Sequence, residues 1–292
     1  MAIDNLIQIL VTVTVIELMV SIGLSATFAE LGAVGKQRRL MIQALLANYF
    51  CVPAAAVILL LLFQAQSMVA AGFLIAAVCP GAPYGPPFTA LARGNVPVSV
   101  GLMVALTASS AILAPPLLQW LLPLVTTGSE TPPIDAAKIV GALFVVQLLP
   151  LIAGLMLRHW FPKAALRVLR PANLLSMVLT LALIGLIVVV HFRILLDIPL
   201  RGFLGMVALV ATALAVGWHL GTPGASNRRA MAITTAVRNV GVALAIAAGS
   251  FAGTAAVTAT LAFALFQTIT VALVALGWGR LAPGTSQRLL LE

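Results

Sequence analysis

Stretches of about 20 mainly apolar residues alternate along the chain with short polar segments rich in arginine, glycine and proline. A helix of about 20 residues crosses the hydrocarbon layer of a bilayer, so each stretch predicts one transmembrane helix. The sequence lacks the alternation of apolar and polar positions over about ten residues that is typical of transmembrane β-strands. We therefore expect an all-α polytopic membrane protein with nine helices, over residues 5–28, 41–64, 69–92, 97–121, 136–157, 172–192, 200–220, 229–250 and 255–279.

The composition supports the same fold class. Of the 292 residues, 62% are hydrophobic and 8% are charged, whereas about 25% of residues are charged in a typical soluble domain. A lipid bilayer is the expected surrounding, with a single integral membrane domain over residues 1–292. Two cysteines, Cys51 and Cys79, lie in apolar stretches without the spacing of a metal site, so neither a metal nor a cofactor is expected.

Lysine and arginine residues predict the orientation of the helices. With the N-terminus outside, the outer loops hold three cations, Lys138, Arg193 and Arg201. The inner loops and the C-terminal tail then hold twelve, namely Lys36, Arg38, Arg39, Arg93, Arg158, Lys163, Arg167, Arg170, Arg228, Arg229, Arg280 and Arg288. The positive-inside rule therefore predicts a cytoplasmic C-terminus in the cell (inner) membrane. The net charge of +9 reflects this orientation, and no nucleic-acid partner is expected.

The third predicted helix is interrupted near its middle. Residues 79–87 contain four prolines and two glycines. Each proline removes a backbone donor and collides with the preceding helical turn, so this segment cannot remain helical. Irregular backbone at membrane depth is tolerated where it lines a cavity or is buried in protein. Tyr84, Pro86 and Thr89 are therefore candidate substrate contacts.

The eighth predicted helix carries a polar segment over residues 234–241, between apolar flanks. Arg238 lies about ten residues from either end of this helix, where a charge is costly and indicates a functional site. Its alternative role is structural, as half of an ion pair or as a clamp on backbone carbonyls. Thr234, Thr235 and Asn239 are further candidate substrate contacts. The two interruptions lie in helices of opposite direction, a pattern typical of an inverted repeat with a binding site at the membrane midplane.

Glu17 is the only acidic residue well inside a predicted helix, and three roles are open for it. It could pair with Arg238, so that each ion offsets the burial cost of the other. It could also titrate within a proton-coupled carrier, or face water near the outer surface.

Three segments carry a resemblance to the bile acid:sodium symporter superfamily. Residues 22–24 with Glu30 resemble its first motif, and Cys79-Pro80-Gly81 with the segment TALARGN at 89–95 resembles its most specific one. Residues 229–244 resemble a third motif, in which Arg229, Ile233, Asn239 and Gly241 are retained. The family usually has ten helices, and this chain resembles the members that lack the first.

The resemblance implies two bodies. A panel would contain 5–28, 136–157 and 172–192, and a core would contain 41–121 and 200–279. The third and eighth helices would cross at their interruptions, with substrate between panel and core. Rigid movement of one body against the other would then give alternating access.

Several residues depart from the family's sodium ligands. Thr234 stands where an acid is expected, Arg238 where a glutamine is expected, and Gly85-Pro86 where a serine and an asparagine are expected. Asn48 replaces another family glutamine and keeps a carbonyl oxygen. Two further family hydroxyls correspond to Ser99 and Thr107 only with a spacing one helical turn too long. Because Arg238 brings a permanent positive charge to the ion site, we expect sodium coupling to be lost and Arg238 to act as a built-in cation.

The sequence thus predicts a secondary carrier of a small organic anion, with Glu17 and Asn48 as candidate coupling residues. One alternative is a sodium- or proton-coupled symporter of another amphipathic solute, and another is a membrane-embedded sensor or scaffold without turnover. An enzyme is not expected, because the chain lacks nucleophile-elbow, zinc-protease and P-loop motifs.

Overall fold

The computed structural model describes residues 2–126, 135–196 and 198–281, and every regular element in these ranges is a helix. Arg288, counted above with the C-terminal tail, lies outside the described residues. The helices are α1 (Ala2–Ser25), α2 (Phe28–Lys36), α3 (Arg38–Leu62), α4 (Ser67–Val78), α5 (Gly85–Leu91), α6 (Val96–Val125), α7 (Ala136–Trp160), α8 (Pro162–Leu196), α9 (Leu200–Leu220), α10 (Ala225–Ala236), α11 (Val240–Ser250) and α12 (Ala255–Leu281).

The predicted fold class is confirmed. In the described part of the chain, eight segments are long and apolar enough to cross a membrane, and one of them is the broken pair α10–α11. The remaining predicted helix, 69–92, is divided into α4 and α5, which are too short to cross separately. Both predicted interruptions are therefore breaks in the helical backbone.

The predicted first helix is too long, because the chain turns at Ala26 and Thr27 and starts a separate helix, α2. Thr27 Oγ1 accepts a hydrogen bond from Glu30 N at 3.2 Å, and Glu30 Oε2 accepts one from Thr27 N at 2.9 Å. This reciprocal capping box satisfies two backbone donors at the start of α2. Val34 then packs so closely on α6 that a Cβ added to Gly101 would lie 2.3 Å from Val34 Cγ2.

The predicted start of the sixth helix at 172 is also wrong, since α8 begins at Pro162. Proline is favoured in the first helical turn because its missing donor is not needed there. Three basic residues that the sequence suggests for a loop thus belong to the first turns of α8: Lys163, Arg167 and Arg170. Long basic side chains are good helix formers, so the helix continues beyond its apolar section.

Helices α1, α7 and α8 pack against one another and form a three-helix group. Two glycines allow the backbones of α1 and α7 to touch, because a Cβ at Gly23 would lie 2.3 Å from Leu151 O and one at Gly154 would lie 2.4 Å from Val20 O. Among the remaining helices, α4 packs against α12 and α9 packs against α10. The three-helix group meets the rest through α1 with α11, α7 with α6 and α8 with α12, and the candidate functional site lies along this boundary.

Candidate functional site

The two broken helices cross and are bonded to each other at their breaks. Asn239 donates from its backbone nitrogen to Cys79 O at 2.8 Å and from Nδ2 to Gly81 O at 3.0 Å. Its Oδ1 accepts from Val242 N at 3.2 Å and caps the start of α11. One buried asparagine therefore closes the second break and holds it against the first.

Gly81 is required at the first break for two reasons. Its φ of +88° lies in the left-handed region that favours glycine. A Cβ at this position would also lie 2.4 Å from the backbone nitrogen of Thr107 on α6. Thr107 Oγ1 donates to Gly81 O at 2.6 Å, so this hydroxyl supports the break.

Arg238 is 1% exposed and donates only to neutral oxygen atoms. Nη1 donates to Asn48 Oδ1 at 2.6 Å and to Thr235 O at 3.1 Å. Nη2 donates to Ala77 O, and Nε lies 3.4 Å from Ala76 O. The surroundings of Arg238 thus match the alternative role given in the sequence analysis, a structural clamp on backbone carbonyls.

The helix ends explain why a cation is stable there. Ala76 and Ala77 belong to the last turn of α4, and Thr235 belongs to the last turn of α10. Carbonyls in a last turn lack helical partners, and each helix C-terminus carries roughly half a negative charge. Two such ends together balance one guanidinium group. Asn48 completes the surroundings from a π-helical turn of α3 over Ala47–Cys51.

Gln267 on α12 satisfies the backbone at the second break. Its Oε1 accepts from Arg238 N at 3.0 Å, and its Nε2 donates to Arg238 O at 3.1 Å. The sequence analysis missed this residue. Its signal is an uncharged polar side chain in the middle of an apolar helix, and such a residue usually has a hydrogen-bond partner.

Three buried hydroxyl groups form a chain beside the crossing. Thr89 Oγ1 donates to Ser99 Oγ at 3.0 Å, and Ser99 Oγ lies 3.1 Å from Thr234 Oγ1. Thr235 instead accepts from Asn48 Nδ2 at 3.4 Å. The predicted contacts Thr89, Thr234 and Thr235 are therefore brought to the crossing, where they bond to protein partners. Ser99 joins them, while Thr107, about two helical turns further along α6, supports Gly81.

A cavity of about 590 Å³ lies between the three-helix group and the crossing. Of the predicted site residues, Tyr84 and Pro86 line it, and Asn239 lines a small pocket that adjoins it through Tyr84. The lining is mainly apolar, and its polar side chains are Ser21, Ser25, Tyr84, Asn173, Ser176, Thr180 and Thr268. No charged side chain is found among the described residues that line the cavity, and Arg238 lies outside it.

Glu17 lies next to this cavity, between α1 and α8. Its Oε2 accepts a hydrogen bond from Ser176 Oγ, and Ser176 lines the cavity. One turn along the same interface, Ser21 Oγ donates to Asn173 Oδ1 at 2.9 Å. The structure contains no ion pair between Glu17 and Arg238, both of which are described. Pairing of these two residues, the first of the three alternatives, is thus not formed in this conformation.

Two broken helices that cross beside a cavity are typical of membrane transporters built with discontinuous helices. The sequence family model described as "Sodium Bile acid symporter family" matches residues 12–198. The chain belongs to this family, which confirms the resemblance noted from its motifs.

Relatives with curated names agree with this assignment. The chain is 30% identical over 163 residues to the probable sodium/metabolite cotransporter BASS2, chloroplastic, of Oryza sativa subsp. japonica, covering 56% of this chain and 38% of the rice protein. It is 25% identical over 247 residues to the uncharacterized sodium-dependent transporter YocS of Bacillus subtilis (strain 168), covering 82% and 74%. It is also 30% identical over 145 residues to the probable sodium/metabolite cotransporter BASS1, chloroplastic, of Arabidopsis thaliana, covering 50% and 35%. The chain thus spans less than half the length of the two plant relatives.

Proposed function

We propose that the protein is a secondary carrier that moves a small amphipathic organic anion by alternating access. The cavity at the crossing supports this proposal, because it separates the three-helix group from the remaining helices and is large enough for a small solute. Its volume of about 590 Å³ falls within the range of about 300–1,000 Å³ of small-molecule sites. The three-helix group would act as the predicted panel, and the other helices as the core.

The cavity lining favours a cargo with an apolar body. Leu18, Leu181 and Ile184 offer apolar surface, whereas hydroxyl and amide groups offer a few hydrogen bonds. The start of α11 reaches the cavity through Val240, and the positive end of a helix favours a carboxylate. Arg238 adds a positive charge two residues before this helix start without touching the cavity.

Sodium coupling is proposed to be lost, because the guanidinium of Arg238 supplies a tethered cation. Carriers with broken helices use the C-terminal ends of half-helices and unwound carbonyls to bind sodium. In this chain, carbonyls of that kind accept hydrogen bonds from Arg238. Asn48, the predicted coupling residue, belongs to the same clamp. Under this proposal, the chain would differ in its dependence on sodium from the relatives whose names include sodium.

The proposal is tested with purified protein in liposomes. We expect saturable uptake of amphipathic carboxylates that is unchanged when sodium is replaced by choline. Thr268→Trp places a large ring in the cavity and should reduce uptake at least about tenfold by excluding the cargo. Leu273→Trp, on the lipid-exposed face of the same helix, is the matched control. Saturable binding without uptake would instead favour the sensor or scaffold, and sodium-dependent uptake would contradict the loss of coupling.

A second candidate function, proton coupling through Glu17, has its own observation. The carboxylate is half-buried in the middle of α1, and its described partner is a serine that lines the cavity. Its charge state therefore influences the α1–α8 interface next to the cargo. Protonation would remove a membrane-buried charge before the panel moves, which is how a carboxylate couples protons to transport.

The surroundings of Glu17 contain few other titratable groups. Helix α11 carries none, and Tyr84 reaches the same cavity from the first break. Arg158 and His159 lie in the last turn of α7, where the ring of His159 contacts Phe28. The titratable residues of α8 lie at least six positions from Ser176 along the helix, and they are Lys163, Arg167, Arg170, His191 and Arg193. Glu17 is therefore the acidic group placed to respond to pH at this interface.

A further inference from the structure

A second cavity, of about 460 Å³, lies in the core on the predicted outer side of the protein. It is lined by the segment between α3 and α4, by α4, by the start of α9 and by α12, and it is separate from the cavity at the crossing, since the two share no lining residue. Gln66, Arg201 and Ala255 line it near the helix ends, and Phe73 and Ala262 line it at depth. We refer to this cavity as the outer cleft.

The outer cleft contains a buried polar group without a partner. Thr258 is 2% exposed and lines the cleft, and its Oγ1 has no hydrogen-bond partner among the described residues. A threonine in a membrane helix usually bonds its own backbone, as Thr260 does on the same helix by donating to Ala256 O at 2.9 Å. A buried hydroxyl without a partner is unfavourable, so a ligand atom in the cleft would satisfy it.

The described residues at the mouth of the cleft carry positive charge. Arg201 is the one charged side chain among the described lining residues. Three helices, α4, α9 and α12, also begin at this mouth, through Gln66, Pro199 and Ala255. Helix starts carry partial positive charge, so they add to the field of Arg201. The mouth is therefore complementary to an anionic group.

The body of the cleft is complementary to hydrocarbon. From Ala255 to Ala262 it follows α12 inward for seven residues, a depth of about 10 Å at 1.5 Å per residue. Leu62 and Phe203, the chain neighbours of the lining residues Phe63 and Gly202, are 70% and 47% exposed, as bilayer-facing side chains are. The cleft is therefore accessible from the lipid bilayer.

We propose that the outer cleft is a binding site for a membrane phospholipid with an anionic headgroup. The headgroup would bind Arg201 and the helix starts, an ester oxygen would accept from Thr258, and the upper part of one acyl chain would occupy the apolar depth. This site does not depend on the proposed transport function, because it involves neither the crossing nor its cavity.

Native mass spectrometry of the detergent-purified protein tests the proposal. Phosphatidylglycerol and phosphatidylcholine with identical acyl chains are titrated, and one tightly held phosphatidylglycerol is expected. Arg201→Gln should lower its retention about fivefold, the effect of one basic residue near an anionic lipid. Lys138→Gln is the matched control, because Lys138 is a predicted outer cation that pairs with Asp135 at 3.5 Å away from the cleft.

Two further variants keep the test decisive. Ala262→Phe fills the depth of the cleft and should abolish retention, whereas Thr258→Val keeps the shape and should weaken it about fivefold by removing the hydroxyl. Melting temperatures that are not lowered without added lipid confirm that the variants are folded, and Thr258→Val should melt at the same or a higher temperature because it removes an unpartnered hydroxyl. Equal retention of the two lipids, or equal loss in the Arg201 and Lys138 variants, would overturn the proposal. Displacement by soluble glycerol phosphate would also overturn it, because the headgroup alone would then be the ligand.

Discussion

At the residue scale, the Arg238 guanidinium shows how a full charge is buried without an acidic partner. Its donors are distributed over an amide oxygen and the last carbonyls of two helices. The carbonyl oxygens of Ala77 and Thr235 lie in the last turns of their helices, where intrahelical donors are lacking. The cation and the helix ends therefore satisfy each other, and the carboxylate of Glu17 remains available for another role.

Arg238→Gln tests this arrangement. At least two buried carbonyl groups lose their donor, so the variant should lose about 2–4 kcal/mol of stability, measured by thermal unfolding in detergent. The emptied carbonyl site should then bind sodium, and sodium chloride should restore part of the stability by mass action. Choline chloride, and Arg280→Gln at the exposed end of α12, serve as controls. If sodium stabilised the wild-type protein as much as the variant, the proposal that Arg238 occupies the sodium site as a tethered cation would be contradicted.

Glu17→Gln tests proton coupling. Uptake by the wild-type protein should increase when an inward proton gradient is imposed on proteoliposomes, and the variant should lose this response. Exchange of cargo at equal pH should continue, because the glutamine mimics the protonated acid. Glu30→Gln is a matched control, since glutamine also completes a capping box. A pH response that survives in Glu17→Gln would exclude this role.

At the element scale, the two helix breaks depend on a few short-range requirements. Prolines and glycines interrupt α4–α5, whereas the break in α10–α11 contains neither residue between Val237 and Asn239. The second break is held instead by Asn239 and by the side-chain amide of Gln267. Local composition therefore dictates one break, and tertiary hydrogen bonds stabilise the other.

Gly81→Ala tests the geometry of the first break. The added methyl group meets backbone atoms of Thr107 and requires a positive φ, so a loss of at least about 2 kcal/mol is expected. Gly85→Ala is the matched control, because its Cβ would lie 3.7 Å from its nearest neighbours in ordinary contact. Melting temperatures of both variants in one detergent give the comparison. Similar losses would show that the break tolerates a side chain at Gly81.

At the scale of the whole molecule, the cavity extends from the crossing toward the basic ends of the helices. Its lining includes Ser25, the last residue of α1, and Val100, near the start of α6. Arg93 precedes α6 and Lys36 ends α2, so these ends lie on the predicted cytoplasmic side. If the proposed carrier function and orientation are correct, the structure would be the inward-facing state.

Cysteine labelling tests this conformation. In a background without Cys51 and Cys79, Thr268→Cys should react with a membrane-impermeant maleimide from the cytoplasmic side, because the residue lines the cavity. Saturating cargo should slow the reaction. Leu273→Cys, which faces lipid on the same helix, should react slowly from both sides. Faster labelling of Thr268→Cys from the outer side would reverse the proposed orientation or conformation.

Hydropathy was sufficient to predict most transmembrane helices, because burial in lipid requires apolar side chains over a whole segment. It was insufficient where local hydrogen bonding decides a boundary, as with the capping box that separates α2 from α1. It also missed Gln267, since a single amide has little effect on the hydropathy of a helix.

The sequence alone therefore determined three features: the chain is a polytopic helical membrane protein, two of its helices are interrupted at positions that can be located, and a charge lies at one interruption. Tertiary structure alone decided what surrounds that charge. Asn48 and Ala76 are 190 and 162 residues from Arg238 along the chain, and no pattern within one helix indicates which carbonyls will meet it. Helix formation depends on neighbouring residues, whereas the partners of a buried cation depend on how whole helices pack.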